Sequence, residues 1–169
     1  MTPFPYTEDE TTRFLRREVP ALLAGLASAQ VPTWGQLTPQ HMVEHLAGAM
    51  RLSMGRYNLP APPASPALDL MQTRLQANAP FPPGVRNPRM AATPGPLRHA
   101  SLTAATTELL LTIDEFFDHY ARQPAATAVH PMFGPLDFGQ WRVFHFKHFS
   151  HHFFQFGLLP TNLLPRPAG

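Results

Sequence analysis

The sequence predicts an all-α fold, an up-down-down-up four-helix bundle with a long proline-rich crossover between the second and third helices. Apolar residues recur at helical spacing in four stretches, and a helix start signal precedes each of them. The pattern gives no convincing strand and no internal repeat. A length of 169 residues agrees with one domain, here residues 1–169.

The first predicted helix covers about residues 8–29. Thr7 and Glu10 form a capping box, with a hydroxyl at the N-cap and a carboxylate three residues on. An apolar stripe begins at Phe14 and continues through Leu26. Pro20 falls inside this stripe and predicts a kink, because proline cannot donate the helical hydrogen bond.

The second predicted helix covers about residues 39–56. Thr38 is an N-cap and Pro39 follows it at the first helical position. The connection to the first helix is short, which predicts antiparallel neighbours.

The segment 57–100 has a different character, since it holds ten of the 21 prolines and little periodicity. Ser65 and Pro66 can cap a short helix through about residue 77. We expect the rest to be an irregular crossover that lets the second and third helices run parallel.

The last two predicted helices cover about residues 101–122 and 137–157. Ser101 and Asp137 are their N-caps, and Gly157 ends the fourth helix. Their connection is short, which predicts a second antiparallel pair.

Composition excludes several classes of protein. The net charge is +2, only 14% of residues are charged, and no basic run suggests nucleic acid. No apolar run approaches the ~18 residues that a membrane span requires, and the N-terminus shows no signal-peptide pattern, so we expect a cytoplasmic protein. The absence of cysteine excludes disulfides, thiolate metal ligands and a cysteine nucleophile.

The fourth predicted helix carries four of the nine histidines. His148 and His152 are four residues apart, the spacing at which one helix offers two imidazoles to one metal ion. His145 and Gln155 lie on the same stripe. Phenylalanines occupy the other faces, which predicts a buried helix with its histidines directed inward.

The predicted topology brings a third histidine to this pair. His45 lies ~10 Å along the second helix at 1.5 Å per residue, and His148 and His152 bracket the same depth in the antiparallel fourth helix. We therefore expect the three imidazoles to converge near one end of the bundle. His130 precedes the fourth helix at the opposite end and is excluded as a ligand.

Other polar residues are expected to surround this triad. His41 and His151 are candidates for supporting groups or for filling the rim. Gln155 is a candidate to hydrogen-bond a ligand, and His145 is expected to be structural. Glu44 is expected to be solvated or paired with arginine rather than to act as a general base. A substrate mouth is expected from Trp34 and from residues late in the crossover, namely Arg86, Arg89, Arg98 and His99.

The chain resembles the DinB/YfiT-like superfamily of four-helix metal-binding proteins. The matching residues are Trp34-Gly35, the segment Thr38–Leu46 with His45, and the segment His148–Gln155 with His152; the stretch His130–Leu136 running into Trp141 looks like an uncharacterised bacterial subgroup. The resemblance implies a divalent metal on His45, His148 and His152. Some relatives are thiol transferases or isomerases that use low-molecular-weight thiols such as bacillithiol or mycothiol, and several form homodimers. The long proline-rich crossover departs from the pattern, so no substrate identity carries over.

Three imidazoles suit Zn, Ni or Fe, and three protein ligands leave coordination positions open, as catalytic sites do. The sequence thus favours a metal-dependent enzyme that activates a thiol or water against a small electrophilic substrate. A non-catalytic metal-binding or stress-response module is the alternative, which His41 or His151 in the fourth position would favour. A homodimeric scaffold is a third interpretation.

Overall fold

The computed structural model describes residues 1–84 and 93–162, which form five helices and one two-stranded sheet. Helix α1 is continuous through Glu8–Arg13, a π-helical turn at Phe14–Glu18, and Val19–Leu23. The other elements are α2 (Pro39–Ser53), α3 (Pro66–Leu75), α4 (Leu102–Arg122), β1 (Ala128–His130), β2 (Gly134–Leu136) and α5 (Phe138–Gln155).

The prediction of an all-α four-helix bundle is wrong. A fifth helix, α3, lies within the crossover, and β1 pairs antiparallel with β2 in the register Ala128↔Leu136. Each strand has only three residues, too few to display an alternating pattern in the sequence. The turn between them relies on Gly134 at φ 71° and on the His130 ring, which accepts hydrogen bonds from two backbone N–H groups of the turn.

All five predicted N-caps are confirmed, because the side chains of Thr7, Thr38, Ser65, Ser101 and Asp137 each accept a hydrogen bond from the first turn of their helix. The helix ends are less accurate. Helix α1 ends at Leu23 rather than near residue 29, α2 at Ser53 rather than 56, and α5 at Gln155 rather than 157. Capping depends on residues three positions apart, whereas an end depends on what the following loop contacts.

The irregularity predicted at Pro20 takes the form of a π-helical turn just before it. Pro20 has no N–H for the carbonyl one turn earlier. The preceding Val19 N–H reaches back five residues to the carbonyl of Phe14, so one wide turn absorbs the mismatch.

Helix α5 is the buried centre of the fold. It packs against α1, α2 and α3, and its Trp141, Phe149 and Phe153 are fully buried. Lys147 is also buried, and its ammonium group donates to the carbonyls of Leu75 at 2.5 Å and Ala77 at 2.7 Å. A cation at the C-terminal end of α3 satisfies carbonyls that have no partner within that helix, so α5 fixes the crossover as well as the core.

Within residues 1–84 and 93–162, no helix has the combination of length and apolar character needed to cross a membrane.

Candidate metal centre

Helices α2 and α5 bring His45, His148 and His152 together. The Nε2 atom of His148 lies 2.9 Å from Nε2 of His45 and 3.1 Å from Nε2 of His152. One ligand atom from each of the three rings lies within 4.8 Å of the others, and this is the group of three that can hold a metal ion among the described residues.

The three imidazoles are held in the neutral form. Burial, followed by the charge of His151, lowers the pKa of His45 to about 4. Burial also holds the pKa of His148 and that of His152 well below the usual range, with the neighbouring histidines acting in the same direction. Neutral imidazole is the form that binds a metal, because its unprotonated nitrogen has a free lone pair.

The donor set fits a divalent ion. Two imidazole nitrogens bound to one ion at about 2.1 Å lie about 3 Å apart when they subtend a right angle, which is close to the spacing observed here. The three nitrogens converge in a region where His148 and His152 are 9% and 8% exposed. A neutral imidazole has only one N–H, so three facing nitrogens cannot all be satisfied by hydrogen bonds to one another. A cation bound by all three would satisfy their lone pairs at once.

Gln155 holds the ring of His152. Its Oε1 atom lies 2.8 Å from Nδ1 of His152, and its Nε2 donates to the Trp34 carbonyl at 2.7 Å. Hydrogen bonds to the second nitrogen of a ligating histidine orient the ring and tune its basicity. The Gln155 amide thus joins the ring of His152 to the main chain of Trp34.

His151 and Trp34 lie beside the triad. The centroid of the His151 ring is 5.1 Å from that of His152 and 5.7 Å from that of Trp34, and Trp34 also contacts Phe154. His151 Nδ1 lies 3.0 Å from the carbonyl of Phe81, so this nitrogen donates to the crossover. Burial lowers the pKa of His151, and this hydrogen bond opposes the shift.

His41 is directed elsewhere. Its Nδ1 is 2.7 Å from the Thr38 hydroxyl and its Nε2 is 3.0 Å from the Gly95 carbonyl. Both ring nitrogens are thus engaged, and His41 fastens the crossover to α2 instead of supporting the triad.

Glu44 is paired with arginine, as predicted, but it is not solvated. Its buried carboxylate accepts from the backbone N–H groups of Arg98 and His99 at 2.9 to 3.1 Å. Burial raises the pKa of Glu44, but the bonds to Arg98, Gln40 and His99 outweigh it and lower the pKa to about 2. Arg98 therefore binds α2 through Glu44. Among the described contacts, none joins Arg98 to the triad, beside which the substrate mouth was expected. Arg86 and Arg89 lie outside the described residues.

His145 is structural in its surroundings, as expected. It is fully buried, and its ring contacts Phe116 at 5.1 Å and stacks on Trp141 at 5.6 Å between centroids. Neither of its ring nitrogens has a hydrogen-bond partner among the described residues. His130 lies in β1, and its Nδ1 accepts hydrogen bonds from the backbone of its own turn.

Thr33 supports the site but was not predicted from the sequence. Its N–H and hydroxyl both donate to the Gln155 carbonyl, at 2.8 and 2.7 Å. The one local signal is the adjacent Trp34-Gly35 pair, because a glycine in a short connection often permits close backbone approach.

Together these features define a helical protein with a buried three-histidine cluster of the kind that holds a metal ion. The chain belongs to the family described as "Protein of unknown function (DUF1569)", whose profile matches residues 16–157. That range contains α2, α5 and all three histidines. Comparison with curated proteins and with solved structures gives no significant match.

Proposed function

We propose that this protein binds a divalent metal ion through His45, His148 and His152 and uses it to activate a thiol or water against a small electrophilic substrate. The convergence of the three Nε2 atoms, from two helices and more than a hundred residues apart in sequence, carries this proposal. When bound there, Zn, Ni or Fe would supply a Lewis acid that lowers the pKa of bound water to about 7 or holds a thiol as thiolate.

The surroundings of the triad support an open site. The metal-binding group among the described residues contains three histidines, and His41 has both ring nitrogens engaged away from it. Three protein ligands leave room for water or substrate. The rings of Trp34 and His151 lie beside the triad, where we propose that they contact the substrate. Because the chain has no cysteine, any thiol must come from another molecule, and we propose a low-molecular-weight cosubstrate.

Metal content is the first test. We would purify the protein without a histidine tag and measure bound metal by mass spectrometry in the wild type, in a His148→Ala, His152→Ala double variant, and in His41→Ala as the matched control. We expect close to one ion per chain in the wild type and in the control, and none in the double variant. Equal metal in all three proteins, or none in the wild type, would overturn the proposal.

Activity then separates the enzyme from the alternative. The metal-loaded protein would be assayed for conjugation of a thiol to a chloronitrobenzene and for hydrolysis of a nitrophenyl ester. We expect turnover that disappears in the double variant. Stoichiometric metal without turnover on a broader set of electrophiles would instead favour a non-catalytic metal-binding or stress-response module.

Membership of the DinB/YfiT-like superfamily and a homodimeric state are further predictions from the sequence.

A further inference from the structure

We propose that Gln155 is a positioning residue that fixes His152 in its metal-binding tautomer, with the main-chain carbonyl of Trp34 as the anchor. This inference rests on the proposed metal site. It concerns hydrogen bonds within the chain that exist before any ion arrives, so part of it can be tested without metal.

The side-chain amide of Gln155 is held at both of its ends. It is 4% exposed, its nitrogen is 2.7 Å from the carbonyl oxygen of Trp34, and its oxygen is 2.8 Å from Nδ1 of His152. A carbonyl oxygen only accepts hydrogen bonds, so the amide NH₂ must face Trp34. The amide oxygen is thereby directed at the imidazole.

This orientation decides where the proton of His152 lies. An amide oxygen also only accepts, so Nδ1 of His152 must carry the proton. In a neutral imidazole the other nitrogen then has the lone pair. That nitrogen is Nε2, which lies 3.1 Å from Nε2 of His148 in the middle of the triad.

The anchor itself is rigidly placed. The segment 30–35 covers the C-terminal end of α5. The N–H and the hydroxyl of Thr33 both donate to the main-chain carbonyl of Gln155, and the side chain of Gln30 donates to the main-chain carbonyl of Phe156. These carbonyls have no partner within the helix. Gly35 has φ 82°, and a Cβ atom there would lie 3.0 Å from the Gln155 amide nitrogen, so this position requires glycine both for its conformation and for the space.

His148 provides an internal contrast. Its Nδ1 atom is buried and has no hydrogen-bond partner among the described residues, so the position of its proton is not fixed from the Nδ1 side, and its Nε2 faces the two other triad nitrogens. Of the two α5 histidines in the triad, His152 is therefore the one whose Nδ1 has a hydrogen-bond partner that directs its lone pair, and Gln155 is that partner.

The test compares two substitutions at Gln155 with a matched control. Gln155→Met keeps the size of the side chain and removes both hydrogen bonds. Gln155→Glu keeps an acceptor for Nδ1 of His152 but places a second acceptor against the Trp34 carbonyl. The control is Gln72→Met, the same change at an amide that donates to the Phe133 carbonyl at 2.9 Å, remote from the triad.

Two readouts are needed. Long-range ¹H–¹⁵N correlation spectra of the metal-free protein report which nitrogen of His152 is protonated, and competition titration with Zn²⁺ at fixed pH gives its affinity. We expect the Nδ1–H tautomer in the wild type, in Gln155→Glu and in Gln72→Met, and a mixture in Gln155→Met. We expect Zn²⁺ affinity to fall about 10- to 100-fold in Gln155→Met, and to be retained in Gln155→Glu and in the control.

Urea unfolding of the metal-free proteins separates positioning from stability. Gln155→Glu should be destabilised at least as much as Gln155→Met and still bind Zn²⁺ well, which a purely structural role would not produce. An Nε2–H tautomer in the wild type, or an unchanged affinity in Gln155→Met, would overturn the inference. If wild type binds no Zn²⁺, the proposed function fails, and the tautomer spectra still decide whether Gln155 directs His152.

Discussion

Two regions of helix α5 bury histidines in opposite ways. One turn separates His145 from His148, and both rings are inaccessible or nearly so. His148 faces two other imidazole nitrogens at 2.9 and 3.1 Å. His145 faces Phe116, Trp141 and other rings, and neither of its nitrogens has a partner among the described residues.

This difference shows that burial and helical spacing do not by themselves make a histidine functional. His145 and His148 share a stripe of the same helix, but His148 meets the imidazole of His45 from α2, whereas His145 meets the aromatic rings of Phe116 and Trp141. Burying an imidazole without hydrogen bonds is costly. A metal ion bound to the triad can offset that cost. The aromatic rings around His145 provide no hydrogen-bond acceptor or donor for its nitrogens.

The largest expected effect is metal-dependent stabilisation that one region has and the other lacks. Zn²⁺ at a thousand times its dissociation constant should raise the free energy of unfolding by about 4 kcal/mol, because the ion binds the folded state. His148→Leu should abolish this increase, and His145→Leu, the same change one turn away, should retain it. Urea unfolding with and without Zn²⁺ measures both. If the two variants respond alike, the functional contrast between the regions is lost.

The next effect is a pH dependence that belongs to His145. Burial, followed by the charge of His130, lowers the pKa of His145 from 6.5 to about 3 in the folded protein. Between these values the unfolded chain binds the additional proton, so stability is fully present above pH 6.5 and decreases as the pH falls. His145→Leu removes one such group.

The free energy of unfolding of His145→Leu should therefore decrease less steeply than that of the wild type as the pH falls. The two slopes should differ by about 1.4 kcal/mol per pH unit. Urea unfolding at pH 7, 6 and 5 in the presence of a chelator checks this, because the triad and His130, whose burial also lowers its pKa, are present in both proteins and cancel in the difference. Parallel pH profiles would mean that His145 is protonated, or hydrated, in the folded state.

The smallest effect is expected at pH 8, where His145 is neutral in both states. Leucine in place of His145 removes two buried nitrogens that have no hydrogen-bond partner in the described part of the chain, and it keeps an apolar group of similar volume. We expect a net gain of about 1 kcal/mol, the surplus of relieved desolvation over imperfect packing. Unfolding of the two metal-free proteins at this pH gives the value. A loss above about 2 kcal/mol would show that the nitrogens of His145 have partners, and the two regions would then be alike.

Much of the helical framework was predictable from the sequence, because its signals are local. Each of the residues Thr7, Thr38, Ser101 and Asp137 binds a backbone N–H within its own first turn. The strands were missed for the opposite reason: their formation depends on the turn at Gly134 and on the bond from the Trp141 indole to the Ala128 carbonyl. The expectation of a simple four-helix bundle failed at these places.

The candidate site was likewise predictable only in part. The spacing of His148 and His152 indicated a pair on one face, and helix depth brought His45 to it. The spacing could not reveal that His41 bonds to Gly95 or that Arg98 binds Glu44, because Gly95 and Arg98 belong to the irregular crossover, which has no helical periodicity from which their positions follow.

The sequence by itself determined where the helices begin, that α5 is buried, and which histidines share its inner face, since these depend on side chains within one or two turns. Only the tertiary structure decided which imidazole nitrogens meet and which proton His152 carries. Those outcomes depend on the hydrogen bond from Gln155 to the Trp34 carbonyl, on the space beside Gly35, and on the contact between His45 of α2 and His148. Each of these contacts joins segments far apart in the chain, and no periodic pattern indicates which atoms meet.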